Sequence, residues 1–319
     1  IIIKGHKMKN IYFNHDGNVD DFVSLLLLLQ APNIHLIGVG VTDGDGYLTP
    51  SVSATQKIIA HFNQWHHPLE VAASSSRAEH PFPDAWRLGA FSFDQLPILN
   101  ETHPKFPSLS KLPAHLDMIE KIKQADGPVT VIMTGPITDL ARALKKAPEI
   151  AQKIDEVDWM GGSLDGHGNV AIPGFDGTQE WNAFWDPKAV DQVWKSQLKI
   201  KMVGLESTEE IPLNDQLRQH FADLRRYPAF DLIGQGYALI VSEQSQDQYY
   251  LWDVLTTLSG LNSDLVTTRL AKSTVITSGT ASGRLVESAK GRTIHLVTKA
   301  DQEAFWSDFD HLAKSAAYL

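Results

Sequence analysis

Short runs of apolar, β-favouring residues alternate with longer stretches whose apolar positions recur at helical spacing through the first two-thirds of the chain. "NIYF" (10–13) leads into "DDFVSLLLLLQ" (20–30), and "IHLIGVGV" (34–41) leads into "SVSATQKIIAHF" (51–62). "VTVIM" (129–133) precedes "TDLARALKKA" (138–147), "EVDWM" (156–160) precedes "DPKAVDQVW" (186–194) after a long loop, and "KIKMVG" (199–204) adds a further strand. Buried strands followed by helices mark parallel βαβ crossovers. The pattern therefore predicts an α/β fold with a mainly parallel sheet covered by helices on both faces.

Ligands of such sheets bind beyond the carboxyl ends of the strands. Asp16, Asp43, Asp45, Thr134 and residues 161–163 each directly follow a predicted strand, so they are expected at one rim. Two connections are longer than typical: residues 73–110, rich in Pro, Phe and Ser, and residues 161–185, rich in Gly and Asp. Long loops inside compact α/β domains often carry function. No repeat or linker interrupts the pattern, and residues 8–319 are expected to form a single domain. The stretch "IIIKGHK" (1–7) precedes a methionine and reads as a cloning remnant, without the apolar core and cleavage site of a secretory signal.

Composition narrows the function classes. The 319 residues carry a formal net charge of −10, which argues against a nucleic-acid polymer as partner, because phosphate binding needs clustered Lys and Arg. The longest apolar run, Phe22 to Leu29, is too short to span a bilayer. The chain has no cysteine, which excludes disulfides and thiolate metal sites and makes the cytoplasm the expected location. The short basic groups near residues 145 and 226 read as solvated helix faces.

The stretch "HDGNVDDF" (15–22) crowds Asp16, Asp20 and Asp21 into six positions. Two carboxylates about 6 Å apart repel by roughly 3 kcal/mol at an effective dielectric of about 20, so the cluster calls for a positive partner. An EF-hand does not fit: Asp21 stands at the position that needs Gly, and Leu27 at the position that needs Glu. An aspartyl-phosphate phosphatase is weakened because Asn14 and Asp16 leave one aspartate at the alternate spacing. Asp20 and Asp21 also fit as first-turn acids at the positive end of a helix. Asp16, in the preceding turn, is not explained that way, whereas a hard divalent cation with oxygen ligands offsets all three charges.

Here the chain resembles the calcium-dependent nucleoside hydrolases. Their aspartate-rich fingerprint is similar to "HDGNVDDF", and "TDGD" (42–45), "MTGPITDLA" (133–141), "MGG" (160–162), "DGTQEWNAFWDP" (176–187) and "WD" (252–253) follow in the same order. "HPFPDAW" (80–86) and "YYLWD" (249–253) resemble the purine-preferring, inosine–adenosine–guanosine branch. The resemblance implies a Rossmann-like, mostly parallel sheet and a homodimer or homotetramer. It implies Ca²⁺ held by Asp16, Asp21 and Asp253 and by the main-chain carbonyl of Thr134. For ribose it implies Asp20, Asp45, Asn169, Glu180 and Asn182, with Asn18 helping to hold the sugar or its metal. For the base it implies a sandwich of Trp86 and Trp252, extended by Phe82 and Met160. Taken singly, these tryptophans read as core aromatics. Glu180 and Asn182, two apart, project to one side if their segment is extended.

The activity implied is hydrolysis of purine ribonucleosides to ribose and free base, with Asp16 as general base toward a water held at the Ca²⁺. A broad or pyrimidine-preferring hydrolase, or a nucleoside-binding protein without turnover, stands as the alternative. Two departures matter. Asn14 occupies a position where many family members carry aspartate, and no histidine stands in "EQSQDQYYLWD" (243–253), where the inosine–uridine branch places a leaving-group acid.

Overall fold

The computed structural model describes residues 8–240 and 248–319. The stretch 1–7 and the first part of the histidine-free segment, through residue 247, lie outside the described residues. Among the described residues, nine strands form one sheet: β1 (Lys9–His15), β2 (Ile34–Val41), β3 (Val71–Ala73), β4 (Val129–Met133), β5 (Ile154–Met160), β6 (Ile200–Val203), β7 (Val266–Val275), β8 (Leu285–Glu287) and β9 (Arg292–Ala300). Their order is β3-β2-β1-β4-β5-β6-β9-β7-β8. All pairings from β3 through to β9 are parallel, and β7 pairs antiparallel with β9 and β8.

Alternation along β1 shows how the layers form. Ile11 and Phe13 enter one apolar cluster and Tyr12 enters another, because successive side chains of a strand point to opposite faces. The first cluster takes in helices Val19–Gln30, Leu48–Phe62 and Trp252–Leu261, and the second takes in Ala114–Gln124, Thr138–Lys146 and Pro187–Trp194. Helix Val19–Gln30 is buried at every position, which accounts for its unbroken apolar run.

The predicted strands at 34–41 and 129–133 coincide with β2 and β4. The long connection 73–110 is not structureless: it holds helices Asp84–Arg87 and Gly89–Asp94 and the 3₁₀ turn Pro97–Leu99. These segments are too short to show a helical period. Strand β7 has a largely exposed stretch from Thr267 to Leu270, so its pattern lacks the alternation that reveals a half-buried strand.

The order reverses at β1, with β2 on one side and β4 on the other. Chains leaving β1 and β4 for opposite directions open a crevice at their carboxyl ends. Asn14 of β1 is in register with Met133 of β4, which brings Asp16 beside Thr134 and Gly135.

Candidate active site

The turn after β1 requires glycine. Gly17 has φ of +90°, and a Cβ there would fall 2.1 Å from Ser51 Oγ. This turn delivers Asn18 as the cap of helix Val19–Gln30: its side-chain oxygen accepts the Val19 N–H at 2.6 Å. Asp21 completes a capping box by accepting the Asn18 N–H at 2.8 Å. Its other oxygen accepts the Thr134 hydroxyl at 2.5 Å. Asp21 thus performs the helix-end role and at the same time faces the end of β4.

Asp20 points the other way. Its two oxygens accept the Tyr249 hydroxyl at 2.6 Å and the Asp253 N–H at 3.0 Å. Asp16 accepts the Asp45 N–H at 3.0 Å, and the Asn18 amide donates to the Asp45 carboxylate. The loop after β2 packs directly on Asp16: a Cβ at Gly44 would lie 2.2 Å from Asp16 Oδ2.

Asp16, Asp20, Asp21 and Asp253 are buried together, and Asp45 is half-buried beside them. Burial, then the charges of Asp21 and Asp45, push the Asp16 carboxyl well above the usual range. Burial, then Asp20, Asp21 and Asp16, do the same to Asp253. Asp20 rises to about 7 through burial and repulsion from Asp21, against the Tyr249 hydrogen bond. Asp45 rises to about 7 chiefly through burial, offset by Asn18. The causes shared by all four are desolvation and the charge of neighbouring carboxylates.

A cleft open at its mouth lies over this floor. Asp16, Asn18, Asp20, Asp45, Thr134 and Asp253 line it, with Met160, Asn169, Glu180, Asn182, Phe82, Trp86 and Trp252. The structure therefore gathers every site residue expected from the sequence except Asp21, whose carboxylate is not part of the cleft lining.

Glu180 and Asn182 reach the cleft by a route other than an extended segment. Glu180 caps the short helix Trp181–Trp185, accepting from Asn182 N–H at 2.8 Å and Ala183 N–H at 3.0 Å. It also accepts from Gly162 N–H at 2.7 Å, which ties it to the end of β5. The Asn182 amide donates to the main-chain oxygens of Thr134 at 3.1 Å and Met160 at 3.2 Å.

Sequence reasoning missed Trp181. It lines the cleft, stacks on Phe82 with ring centroids 5.1 Å apart, and meets the edge of Trp86 at 5.4 Å. Its indole N–H donates to Asn169 O at 3.1 Å. The only available signal was its place between Glu180 and Asn182. Tyr249, hydrogen-bonded to Asp20, was likewise legible only as part of "YYLWD".

A cation fits the donor set. The candidate donors are hard oxygens, and the cleft lining contains no Lys or Arg among the described residues. Asp45 Oδ1 and Asn182 Oδ1 are buried acceptors without a partner among the described residues, open to the donors of a bound ligand. Side chains alone make no cage of three or more ligands among the described residues. A cation here needs the Thr134 carbonyl and ligand oxygens to fill the six to eight positions that Ca²⁺ prefers.

An acidic, aromatic-walled cleft at the switch point of a parallel sheet defines an α/β protein shaped for a hydroxyl-rich ligand with a planar part. The chain belongs to the inosine-uridine preferring nucleoside hydrolase family, whose profile matches residues 11–307. It is similar to the crystal structure of an inosine-uridine preferring nucleoside hydrolase from Bacillus anthracis, with 45% identity and a TM-score of 0.92 over 97% of this chain and 100% of that one. It is 28% identical over 203 residues to probable uridine nucleosidase 1 of Oryza sativa subsp. japonica, covering 63% of this chain and 60% of that protein. It is 28% identical over 217 residues to the pyrimidine-specific ribonucleoside hydrolase RihA of Shewanella sp. (strain MR-4), covering 65% and 62%. The aligned region thus spans about three-fifths of each of these two curated relatives. No helix among the described residues is long and apolar enough to cross a membrane.

Proposed function

We propose that this chain, acting through residues 8–319 as one domain, hydrolyses the N-glycosidic bond of ribonucleosides and prefers purines. One observation carries the reading: Asp16 is buried in a cleft lined by carboxylate and amide groups together with four aromatic rings. A carboxylate at the floor of the cleft suits a general base toward a water bound there.

Asp16, Asp21, Asp253 and the Thr134 carbonyl are the proposed holders of Ca²⁺, which when bound supplies positive charge that acidifies a water and orients the ribose diol. Asp16 takes the proton of the attacking water. Asp20, Asp45, Asn169, Glu180 and Asn182 bind the sugar hydroxyls, which both donate and accept. As the bond to the base lengthens, positive charge grows on the sugar ring, and the acids oppose it more strongly than they oppose neutral substrate. Trp86, Trp252, Phe82, Trp181 and Met160 wall the base and exclude water.

The purine preference is supported by the extent of this aromatic wall and by the histidine-free sequence 243–253. The names of the Oryza and Shewanella relatives favour a second reading, a pyrimidine-preferring or broad hydrolase. A cytoplasmic location is supported by the cysteine-free composition, and a homodimer or homotetramer by family resemblance alone.

Release of free base from inosine, uridine and 2′-deoxyinosine, followed by absorbance, tests this. The expected kcat/KM for inosine exceeds that for uridine by tenfold or more. It exceeds that for 2′-deoxyinosine by several kcal/mol of barrier, because a missing hydroxyl leaves buried partners unsatisfied. Equal or better use of uridine removes the purine preference. Asp16→Asn is expected to lose turnover by orders of magnitude, and retention within about tenfold, some 1.4 kcal/mol, removes Asp16 as the base.

A further inference from the structure

Trp86, one face of the proposed base wall, is 51% exposed. It sits on the four-residue helix Asp84–Arg87, none of whose residues is buried. Such a helix cannot hold an aromatic wall in place by its own packing. The next residue, Arg87, makes the attachment.

The Arg87 side chain is only 11% exposed. Its Nε donates to Gly44 O at 3.0 Å, and a terminal nitrogen donates to Asp43 Oδ1 at 2.5 Å. The guanidinium carbon lies 4.2 Å from the centre of the Tyr47 ring. The Arg87 carbonyl accepts the Tyr47 N–H at 3.3 Å, and the Tyr47 hydroxyl donates to Asp84 at 3.1 Å. A planar cation thus bridges the helix bearing Trp86 to the loop 43–47, with two directed hydrogen bonds and a stacked face.

That loop also orients the catalytic floor. Gly44 supplies the carbonyl that Arg87 grips, and the next residue, Asp45, donates its N–H to Asp16 at 3.0 Å. The loop has its own supports: Gly46 N–H to Asp16 O at 2.8 Å, Leu48 N–H to Asp43 at 3.1 Å, and the Asn18–Asp45 hydrogen bond. Removing Arg87 therefore frees the wall while these hydrogen bonds of the floor stay in place.

We propose that Arg87 is a positioning residue that sets the base-binding wall against the sugar floor by clamping the helix of Trp86 to Asp43 and Gly44. The proposal rests on the nucleoside reading of the cleft.

The test uses the Ca²⁺-loaded full chain with Arg87→Ala, Arg87→Lys and Asp43→Asn, and the combination of Arg87→Ala with Asp43→Asn. For Arg87→Ala, KM for inosine is expected to rise tenfold or more with kcat within about threefold, while the inhibition constant of free ribose and the Tm stay near wild type. Arg87→Lys should recover only part of the loss, and added methylguanidinium should lower the Arg87→Ala KM again. Asp43→Asn should weaken inosine binding in the same sense, and its combination with Arg87→Ala should be less than additive, since both act on one contact. An inosine KM within twofold of wild type, or a parallel rise in the ribose inhibition constant, overturns the proposal. If the wild-type chain fails to cleave inosine, the hydrolase reading falls by itself; calorimetric Kd values of the same variants for inosine and for ribose still decide the role of Arg87.

Discussion

Asn14 Nδ2 lies 3.4 Å from Asp139 Oδ2, joining the end of β1 to the start of helix Thr138–Lys146 beneath the acidic floor. Asp139 accepts further hydrogen bonds from the hydroxyls of Thr42 at 3.2 Å, Ser74 at 2.9 Å and Ser76 at 2.7 Å. Thr42 Oγ1 also lies 3.2 Å from Asn14 Oδ1, and Ser76 Oγ accepts from Arg142 at 2.8 Å, so Asp139 is the charged acceptor at the centre of a buried network. The amide at Asn14, where the resemblance anticipates a carboxylate, is thereby matched by a carboxylate across the pair.

Asn14→Asp alone sets two buried carboxylates face to face and removes a donor. A loss of about 1–3 kcal/mol is expected, read as a lower Tm. Asp139→Asn added to it restores one donor and one acceptor, with the serine hydroxyls still satisfied by the amide oxygen. The double variant should recover at least half of the lost Tm. Additive losses in the cycle would show that the two positions do not compensate.

Metal removal should destabilise the fold as well as stop turnover. Binding to the folded state alone stabilises it by linkage, and a cation held as proposed would also offset the repulsion among Asp16, Asp20, Asp21 and Asp253. Exhaustive chelation is expected to lower Tm and abolish base release, with Ca²⁺ restoring both. Full activity in a verified metal-free sample sinks the assignment.

The departing base has no evident histidine donor in 243–253. Trp252, which packs edge-on against Tyr249 with centroids 4.6 Å apart, is expected to aid departure by stacking on the base. Stacking contributes only about 0.5–1.5 kcal/mol beyond area burial, so its catalytic effect must act through base electronics and position. Trp252→Ala should slow inosine much more than a p-nitrophenyl riboside, whose leaving group needs no proton. Equal losses would reduce Trp252 to a support for its neighbour Asp253.

Acid stability should depend on His67, far from the cleft in sequence and buried. Burial, then the charge of His35, lowers its pKa from 6.5 to about 4. Between those values the unfolded chain binds the proton and the folded chain does not, so stability falls as pH drops from about 6.5 toward 4. His67→Gln should flatten part of that decline in Tm measured against pH. Parallel curves for variant and wild type would remove His67 from the acid limb.

The strand and helix alternation, the boundaries of β2 and β4, and the placement of Asp16, Asp45 and Thr134 after strands were legible in the sequence. They depend on side-chain periodicity and on turns a few residues long, which are local properties. The acidic fingerprint also marked the site, because no ordinary helix end explains Asp16. The division of labour between Asp20 and Asp21 was not legible. Adjacent residues on a helix point in different directions, and only packing sends one to Tyr249 and the other to Thr134. The same holds for Trp181 against Phe82, Arg87 on Asp43, and Asn14 paired with Asp139. These contacts join segments separated by 44 to 229 positions, and they meet only because parallel strands in register bring their carboxyl ends to one rim.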